Sequence, residues 1–493
     1  MSRMFRPVSR TAAGRLITIA AIGLLGTTLM SLLPFAVGFL PGIVENPLSE
    51  TFPHLRSPSG RHIARALGVA GAIMLFWAWT AVHPSRVGRG RPRLQWGLLC
   101  LWGAPTLLAP PLQTADPWAY AAQGWILNQG RNPYDVPMGI PSPFSSGIFD
   151  SWLSTTTVYP PISLYIQGIL VAITQEHPYW SVVAMRAIPV LAFIIIACVA
   201  RPLARDMGID PDVAVWIALL NPLVISQYLG GAHNDSLMSA LIVLAIWLAR
   251  RPGGLWWSAL AIGLAAGVKQ PAVLAGIGVA LHAAWPRVQH LQRRWLGLTL
   301  RVAAAGAVGG GLFLAISYAS DLGMGWANDT GGSPTLVISH TPVSWVSQLL
   351  IRGFGVPAEP VGTIGSVLTT ITTIAAIVWV GKRHLPERTV AFTAGTLLAF
   401  GLLGAALQPW YPLWGGILLA WVHVRREWGL IIIAATGGLS VSAILQEFWS
   451  PAVTVPLCAL AAAAWWWKSR GTFFGAPAPT SHPADVAQAA RVE

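Results

Sequence analysis

The sequence is poor in charge. Only 10% of its 493 residues are Asp, Glu, Lys or Arg, against roughly 25% in an ordinary soluble domain. By contrast, 54% are hydrophobic, and the mean hydropathy is +0.59. A single soluble core does not grow to this length on such a composition, so soluble enzymes, secreted scaffolds and nucleic-acid binders are excluded. Cysteine is equally scarce. Cys100, Cys198 and Cys458 each lie inside an apolar run, and no Cys-x-x-Cys pair exists. Neither a zinc site nor a disulfide framework is indicated, and the three read as small packing residues. P-loop, GxSxG and HExxH sequences are also missing.

What the chain has in abundance is apolar stretches. At about 20 residues per crossing, fewer inside a bundle, they predict an all-α, polytopic bundle of about 13–15 membrane segments. Candidate crossings run from Leu16–Phe39 through Ala66–Val82, Trp96–Leu112, Val182–Ala200, Val213–Leu229, Leu237–Leu248 and Leu255–Val268. They continue through Val273–Trp285, Val302–Tyr318, Val361–Val380, Val390–Leu403, Tyr411–Val422, Leu430–Leu445 and Val453–Trp467. Several are short or interrupted by Pro or Gly, which is tolerated only where neighbours or a cavity satisfy the backbone. Residues 1–15 form a basic arm expected in the cytoplasm, 16–470 the membrane domain, and 471–493 a tail whose Ala, Pro, Thr and Ser read as disordered. The N-terminus resembles a signal peptide, but its apolar run is too long and no clean cleavage site follows.

The net charge of +13 is explained by where the basic residues fall. With Ile162–Thr174 read as re-entrant or interfacial rather than crossing, basic loops such as Arg86–Arg93, Arg287–Arg301 and Arg425–Arg426 share the cytoplasmic side. The outer side then receives the long loop 113–159, Gly230–Asp235, Lys269–Pro271 and Gln408–Trp410. A functional site should therefore open outward.

Four outer constellations can carry chemistry. In TADPWAYAAQGWILNQGRNPYDV (114–136), Asp116 either caps a helix begun by Pro117 or serves as a general base, and the two roles are compatible. The following WAYAAQGWIL reads as an interfacial helix. Gln123, Arg131, Asn132 and Tyr134 offer the amides, guanidinium and rings that sugar binding uses. In GGAHNDSLM (230–238), His233, Asn234 and Asp235 open a membrane helix, as caps or as a polar site. The free N–H groups of such a helix start suit a phosphate. In GVKQPA (267–272), Lys269 either snorkels to the interface or holds a lipid-linked phosphate. In LQPWYPLWGG (407–416), Gln408, Trp410 and Tyr411 stack on a sugar or belong to the aromatic belt. No nucleotide is supplied to an outer face, so an enzyme there needs an activated donor carried through the membrane, and a lipid phosphate is a sensible carrier.

These blocks, with YPPISLYIQG (159–168), NPLVISQYLGGAHNDSLM, VKQPA and QPWYPLW, resemble the actinobacterial polyprenol-phosphomannose-dependent α-1,6-mannosyltransferases. Those are multispanning glycosyltransferases of the GT-C class, and the likeness covers roughly Leu16 to Trp467. The resemblance implies an inverting mannosyltransferase of the plasma membrane with its site on the extracytoplasmic side. It implies a polyprenyl-phosphate-mannose donor, a lipid-anchored α-1,6-mannan acceptor of the lipomannan or lipoarabinomannan kind, and no cofactor or metal. An acidic catalytic base in the first large outer loop maps onto Asp116, with His233 and Lys269 at the donor phosphate. Gln123, Arg131, Asn132, Tyr134, Tyr159, Asn234, Asp235, Gln408, Trp410 and Tyr411 are left to bind substrate. One departure is Tyr159-Pro160-Pro161, where a Tyr-Gly-Pro-like turn is expected. A transporter or flippase for a lipid-linked sugar, or a transferase of the same class for another sugar, are the alternatives.

Overall fold

The computed structural model describes residues 10–36, 40–41, 44, 53–328, 341–404, 406–446, 449–470 and 473. The expected tail at 471–493 lies outside them except for Phe473, and so does the basic arm except for residues 10–15, which already belong to the first helix. Among the described residues the regular structure is entirely helical. Six helices are long and apolar enough to cross a membrane by length and composition: Ala13–Ala36, Pro58–Ala81, Pro178–Asp206, Arg294–Ala319, Ala358–His384 and Arg426–Leu445. The pair Val224–Gly230 and Asp235–Leu248, bent by 114°, is either a broken span, which would make seven, or a re-entrant loop. Shorter apolar helices, among them Pro161–Ile173, Gly254–Val268 and Thr389–Leu403, fill the bundle. The protein is a polytopic helical membrane protein. The stretches expected to cross overlap helices or helix pairs, but among the described residues only these six, or seven with the bent pair, are long and apolar enough to do so, against the 13–15 segments expected.

Close packing depends on small residues. Arg10–Ala36 and Pro58–Ala81 meet at Gly26 and Gly71, where a Cβ on Gly71 would sit 2.4 Å from the Gly26 carbonyl oxygen. Without a hydrophobic drive between helices in lipid, such close approach gives the packing energy. Pro58–Ala81 is joined to Pro211–Ala218 by a reciprocal pair. The rings of Trp79 and Trp216 stack 4.1 Å apart, and each indole N–H donates to the other's backbone carbonyl, at 2.9 and 2.8 Å.

At the start of Pro211–Ala218, Asp210 and Asp212 form a D-x-D pair in sequence, but both carboxylates are already engaged. Asp210 accepts from the Asp212 backbone N–H at the helix start and pairs with Arg89 at 2.7 Å. Asp212 pairs with Arg201, whose guanidinium also donates to Gln95 Oε1 at 2.7 Å.

The centre of the bundle is irregular. The expected crossing 213–229 is split because Pro222 has no N–H to continue the helix, and Asn221 Oδ1 accepts the Leu223 N–H instead, at 2.9 Å. A π-helical turn, Val224–Gly230, follows. The chain then turns through Ala232, with φ of 53°, and leaves as Asp235–Leu248 at 114° to the turn before it. Residues 218–240 are buried without exception, which is how a membrane bundle shelters non-helical backbone. This bend carries His233, Asn234 and Asp235 into the interior.

A second element reaches the same place. Asp116–Asn128, expected to lie in the interface, has its first nine residues covered by the rest of the protein. It crosses Pro161–Ile173 at Gly124, where a Cβ would lie 2.6 Å from the Gln167 carbonyl carbon. That crossing requires glycine.

Candidate functional site

Asp116 is the first residue of its helix and does not cap it. The cap position is Ala115, and the Asp116 backbone N–H donates to Thr114 Oγ1 at 3.1 Å. The carboxylate is thus free for other partners. Oδ1 accepts from the Thr114 hydroxyl at 3.0 Å, and Oδ2 accepts from the Tyr120 hydroxyl at 3.1 Å. His233 Nδ1 lies 3.3 Å from Oδ2. Burial pushes the Asp116 carboxyl up. The nearby His233 ring, the charge of Lys269 and the Thr114 hydroxyl outweigh it and hold the group below the ordinary carboxylate value. Asp116 is therefore an ionised acceptor at neutral pH.

The His-Asn-Asp sequence faces the same interior, and again no side chain is used as a cap. The His233 ring is wholly buried and stacks on Trp410 with centroids 3.7 Å apart, while neither ring nitrogen makes a hydrogen bond. Asn234 donates to Ser163 Oγ at 2.8 Å, and its Oδ1 is within 3.3 Å of the Tyr120 hydroxyl. Asp235 Oδ1 accepts from Lys269 Nζ at 2.7 Å and from the Trp414 indole at 2.6 Å, whereas Oδ2 has no partner. Buried polar atoms without partners are costly and rare. Those on His233 and Asp235 sit on groups that can donate to or accept from a ligand.

Lys269 does not snorkel. Gly254–Val268 ends at it, the chain is extended there, and the short turn Gln270–Ala272 starts the next helix. The ammonium is almost fully buried and lies 5.3–5.5 Å from the ring centroids of Tyr159, Tyr411 and Trp414. A cation within about 6 Å of a ring face is attracted to it. Asp116, Asp235, Lys269 and His233, drawn from three separate stretches of chain, form one buried cluster bordered by tyrosine and tryptophan rings.

The remaining sequence candidates divide. Tyr159 is in the wall, and its hydroxyl lies 3.4 Å from that of Tyr120. Tyr134 supports the wall from behind, donating to the Tyr159 carbonyl at 2.8 Å. Asn132 shapes that loop, accepting the Tyr134 N–H at 3.0 Å and donating to the Leu322 carbonyl at 3.3 Å. Gln123 is buried one side away, donating to Met138 Sδ and leaving Oε1 unpartnered. Arg131 is exposed at the end of its helix, and Gln408 is half-buried, its carbonyl accepting the Tyr411 N–H at 3.1 Å. Neither joins the central group.

Three contributors were not singled out from the sequence: Tyr120, Ser163 and Trp414. The first had a readable signal, since Tyr120 lies four residues after Asp116 and hence on the same helix face. Ser163 and Trp414 depend on tertiary contacts alone. Among the described residues no group of three or more His, Cys, Asp or Glu is placed to hold a metal ion.

Comparison with known proteins gives a consistent picture. Residues 20–285 match the family model described as alpha-(1->6)-mannopyranosyltransferase, N-terminal domain. A probable alpha-(1->6)-mannopyranosyltransferase of Mycolicibacterium smegmatis is 28% identical over 450 residues, covering 81% of this chain and 78% of its own. Alpha-(1->6)-mannopyranosyltransferase A of Mycobacterium tuberculosis is 26% identical over 463 residues, covering 89% and 85%. Alpha-(1->6)-mannopyranosyltransferase B of Corynebacterium glutamicum is 25% identical over 512 residues, covering 92% and 82%. The matched span 20–285 contains Asp116, His233 and Lys269, while Trp410, Tyr411 and Trp414 lie beyond it.

Proposed function

The chain belongs to the alpha-(1->6)-mannopyranosyltransferase family, and on that premise we propose that it moves mannose from polyprenyl-phosphate-mannose to the 6-hydroxyl of a lipid-anchored α-1,6-mannan. The reaction takes place on the outer face of the plasma membrane and serves lipomannan-type glycan assembly. The observation that carries the reading is the buried cluster in which Asp116, His233, Asp235 and Lys269 meet among aromatic rings.

The chemistry follows from the parts. The donor is a β-mannosyl phosphate and the product is α-linked, so one inversion is required. The acceptor oxygen forms its bond to C1 as the C1–O bond to phosphate breaks, and that electron pair leaves with the phosphate. Asp116, ionised, takes the acceptor proton. The departing phosphate needs charge stabilisation rather than a proton. Lys269 and His233 supply it, together with the positive end of the Asp235–Leu248 helix dipole. Asp235 offers its unpartnered oxygen to a sugar hydroxyl, and the rings of Tyr159, Trp410 and Tyr411 offer faces for the pyranose. Within a turn of Lys269 on either side, at Ala266 and Val273, begins an apolar groove of about 190 Å³ that also includes Gly276 and Phe313. It suits a prenyl chain tethered to that phosphate.

The outer placement is supported by the charge asymmetry of the loops. Cysteines introduced at 290 and 322 test it: reagent applied to intact cells should label 322 and spare 290, and the reverse would overturn the placement. The activity is tested by incubating purified protein with polyprenyl-phosphate-mannose and a short α-1,6-mannoside. A new α-1,6 linkage is expected. No transfer, or efficient transfer from a donor carrying a different sugar instead, would refute the reading.

A further inference from the structure

Arg186 is a buried cation that the proposed chemistry does not use. It is 3% exposed, and among the described residues no carboxylate lies within ion-pair distance of it. A guanidinium carried to such depth without a counter-ion is expensive, so its contacts should explain its presence. They are two backbone carbonyls. One nitrogen, Nη2, donates to Pro110 at 2.9 Å and to Gly230 at 3.0 Å, while Nε and Nη1 have no partner. Pro110 lies on the segment that leads into Asp116, and Gly230 on the turn that leads into His233.

The same two segments are joined nearby by further bonds. The Leu112 N–H donates to the Gly230 carbonyl at 3.0 Å, so that carbonyl is shared with Arg186. Gln227 donates to the Gln113 side-chain oxygen. Each segment also carries one strained residue just before its site residue: Gln113 has φ of 60° and Ala232 has φ of 53°. Non-glycine residues hold such angles only where the surroundings over-determine them. The bonds centred on Gly230 are those surroundings.

We propose that Arg186 is the positioning residue that sets the approach of His233 to Asp116, by clamping the two segments that carry them. The effect on catalysis rests on the transferase reading above; the effect on geometry does not. Arginine suits the task because its longer side chain brings one charged nitrogen, Nη2, to both carbonyls, a reach that a shorter lysine ammonium does not reproduce.

The test uses the full-length membrane protein and three variants: Arg186→Gln, His233→Gln and the two combined, with Arg186→Lys alongside. Arg186→Gln should lower kcat by about 10- to 100-fold, the scale of a misplacement near 1 Å, and leave KM for donor and acceptor within about twofold. Because Arg186 acts through His233, the double variant should be no slower than the slower single one. Arg186→Lys should recover little, and it carries the same cycle if the Gln variant does not fold. Losses that multiply, a defect confined to donor KM, or full recovery in the Lys variant would each overturn the proposal. A structure of Arg186→Gln, or of Arg186→Lys if that is the variant that folds, separates this inference from the function itself. His233 is expected to have moved away from Asp116, and an unchanged 3.3 Å separation would refute the clamp whatever the activity.

Discussion

The helix Ala358–His384 and the segment 218–240 are both built mainly of apolar residues, yet they behave in opposite ways. The helix is long, unbroken and mostly exposed, with only 22% of its most apolar window buried and Ile371 and Trp379 turned outward. The segment is wholly buried, broken at Pro222, wound as a π-turn and bent at Ala232. Lipid cannot satisfy an open backbone, so regular helix must face it, and irregular chain must be enclosed by protein. Enclosed irregular chain is also where charged side chains can be held at tolerable cost, because partners surround them. The division assigns scaffold to the outer helices and chemistry to the bent centre, and substitutions should follow it.

The largest effect is expected at Asp116. Asp116→Asn keeps the shape but cannot take a proton, so turnover should fall about 10²-fold or more with expression and thermal unfolding nearly unchanged. Near-normal turnover would reduce this carboxylate to a structural acceptor. Next comes Lys269→Ala, which should raise the donor KM by about tenfold while acceptor KM stays close to wild type, with Lys269→Arg recovering part of the loss. An equal rise for both substrates would place Lys269 outside the phosphate site.

A smaller, more specific effect concerns pH. The Asp116 carboxyl is held below its ordinary value, and a base works only when ionised, so its activity is lost as pH falls through that depressed value. His233→Gln removes the ring that lies 3.3 Å from Oδ2 and favours the ionised form. The acidic limb of kcat/KM should then move to higher pH, and an unmoved limb would break the coupling between the two residues. The smallest effect belongs to the scaffold: Ile371→Ala, on an exposed helix face, should change stability by no more than about 0.5 kcal/mol and leave kcat unaltered.

Much of this division is legible in the amino-acid sequence. Apolar run length places most of the long helices, and the scarce polar residues between the apolar runs mark Asp116, His233, Asn234, Asp235 and Lys269. How those residues are used is not legible there. Asp116, Asn234 and Asp235 stand where capping residues stand, and residue type alone does not separate a cap from a ligand. Only the geometry shows that Asp116 pairs with Thr114, Tyr120 and His233, and Asn234 with Ser163. The Lys269–Asp235 bond joins residues 34 apart through a bend that no local pattern predicts. Arg131 and Gln408 go the other way. Their polar neighbourhoods in sequence suggest a shared pocket, and the fold leaves one in solvent and the other at the rim.

The most direct test of the central claim is a structure of the Asp116→Asn variant with polyprenyl-phosphate-mannose bound. The account predicts the phosphate between Lys269 and His233, the sugar against Trp410 and Tyr411, and C1 facing the side chain at 116. A phosphate held instead by Arg131 or Arg186, with Lys269 still bonded only to Asp235, would contradict it.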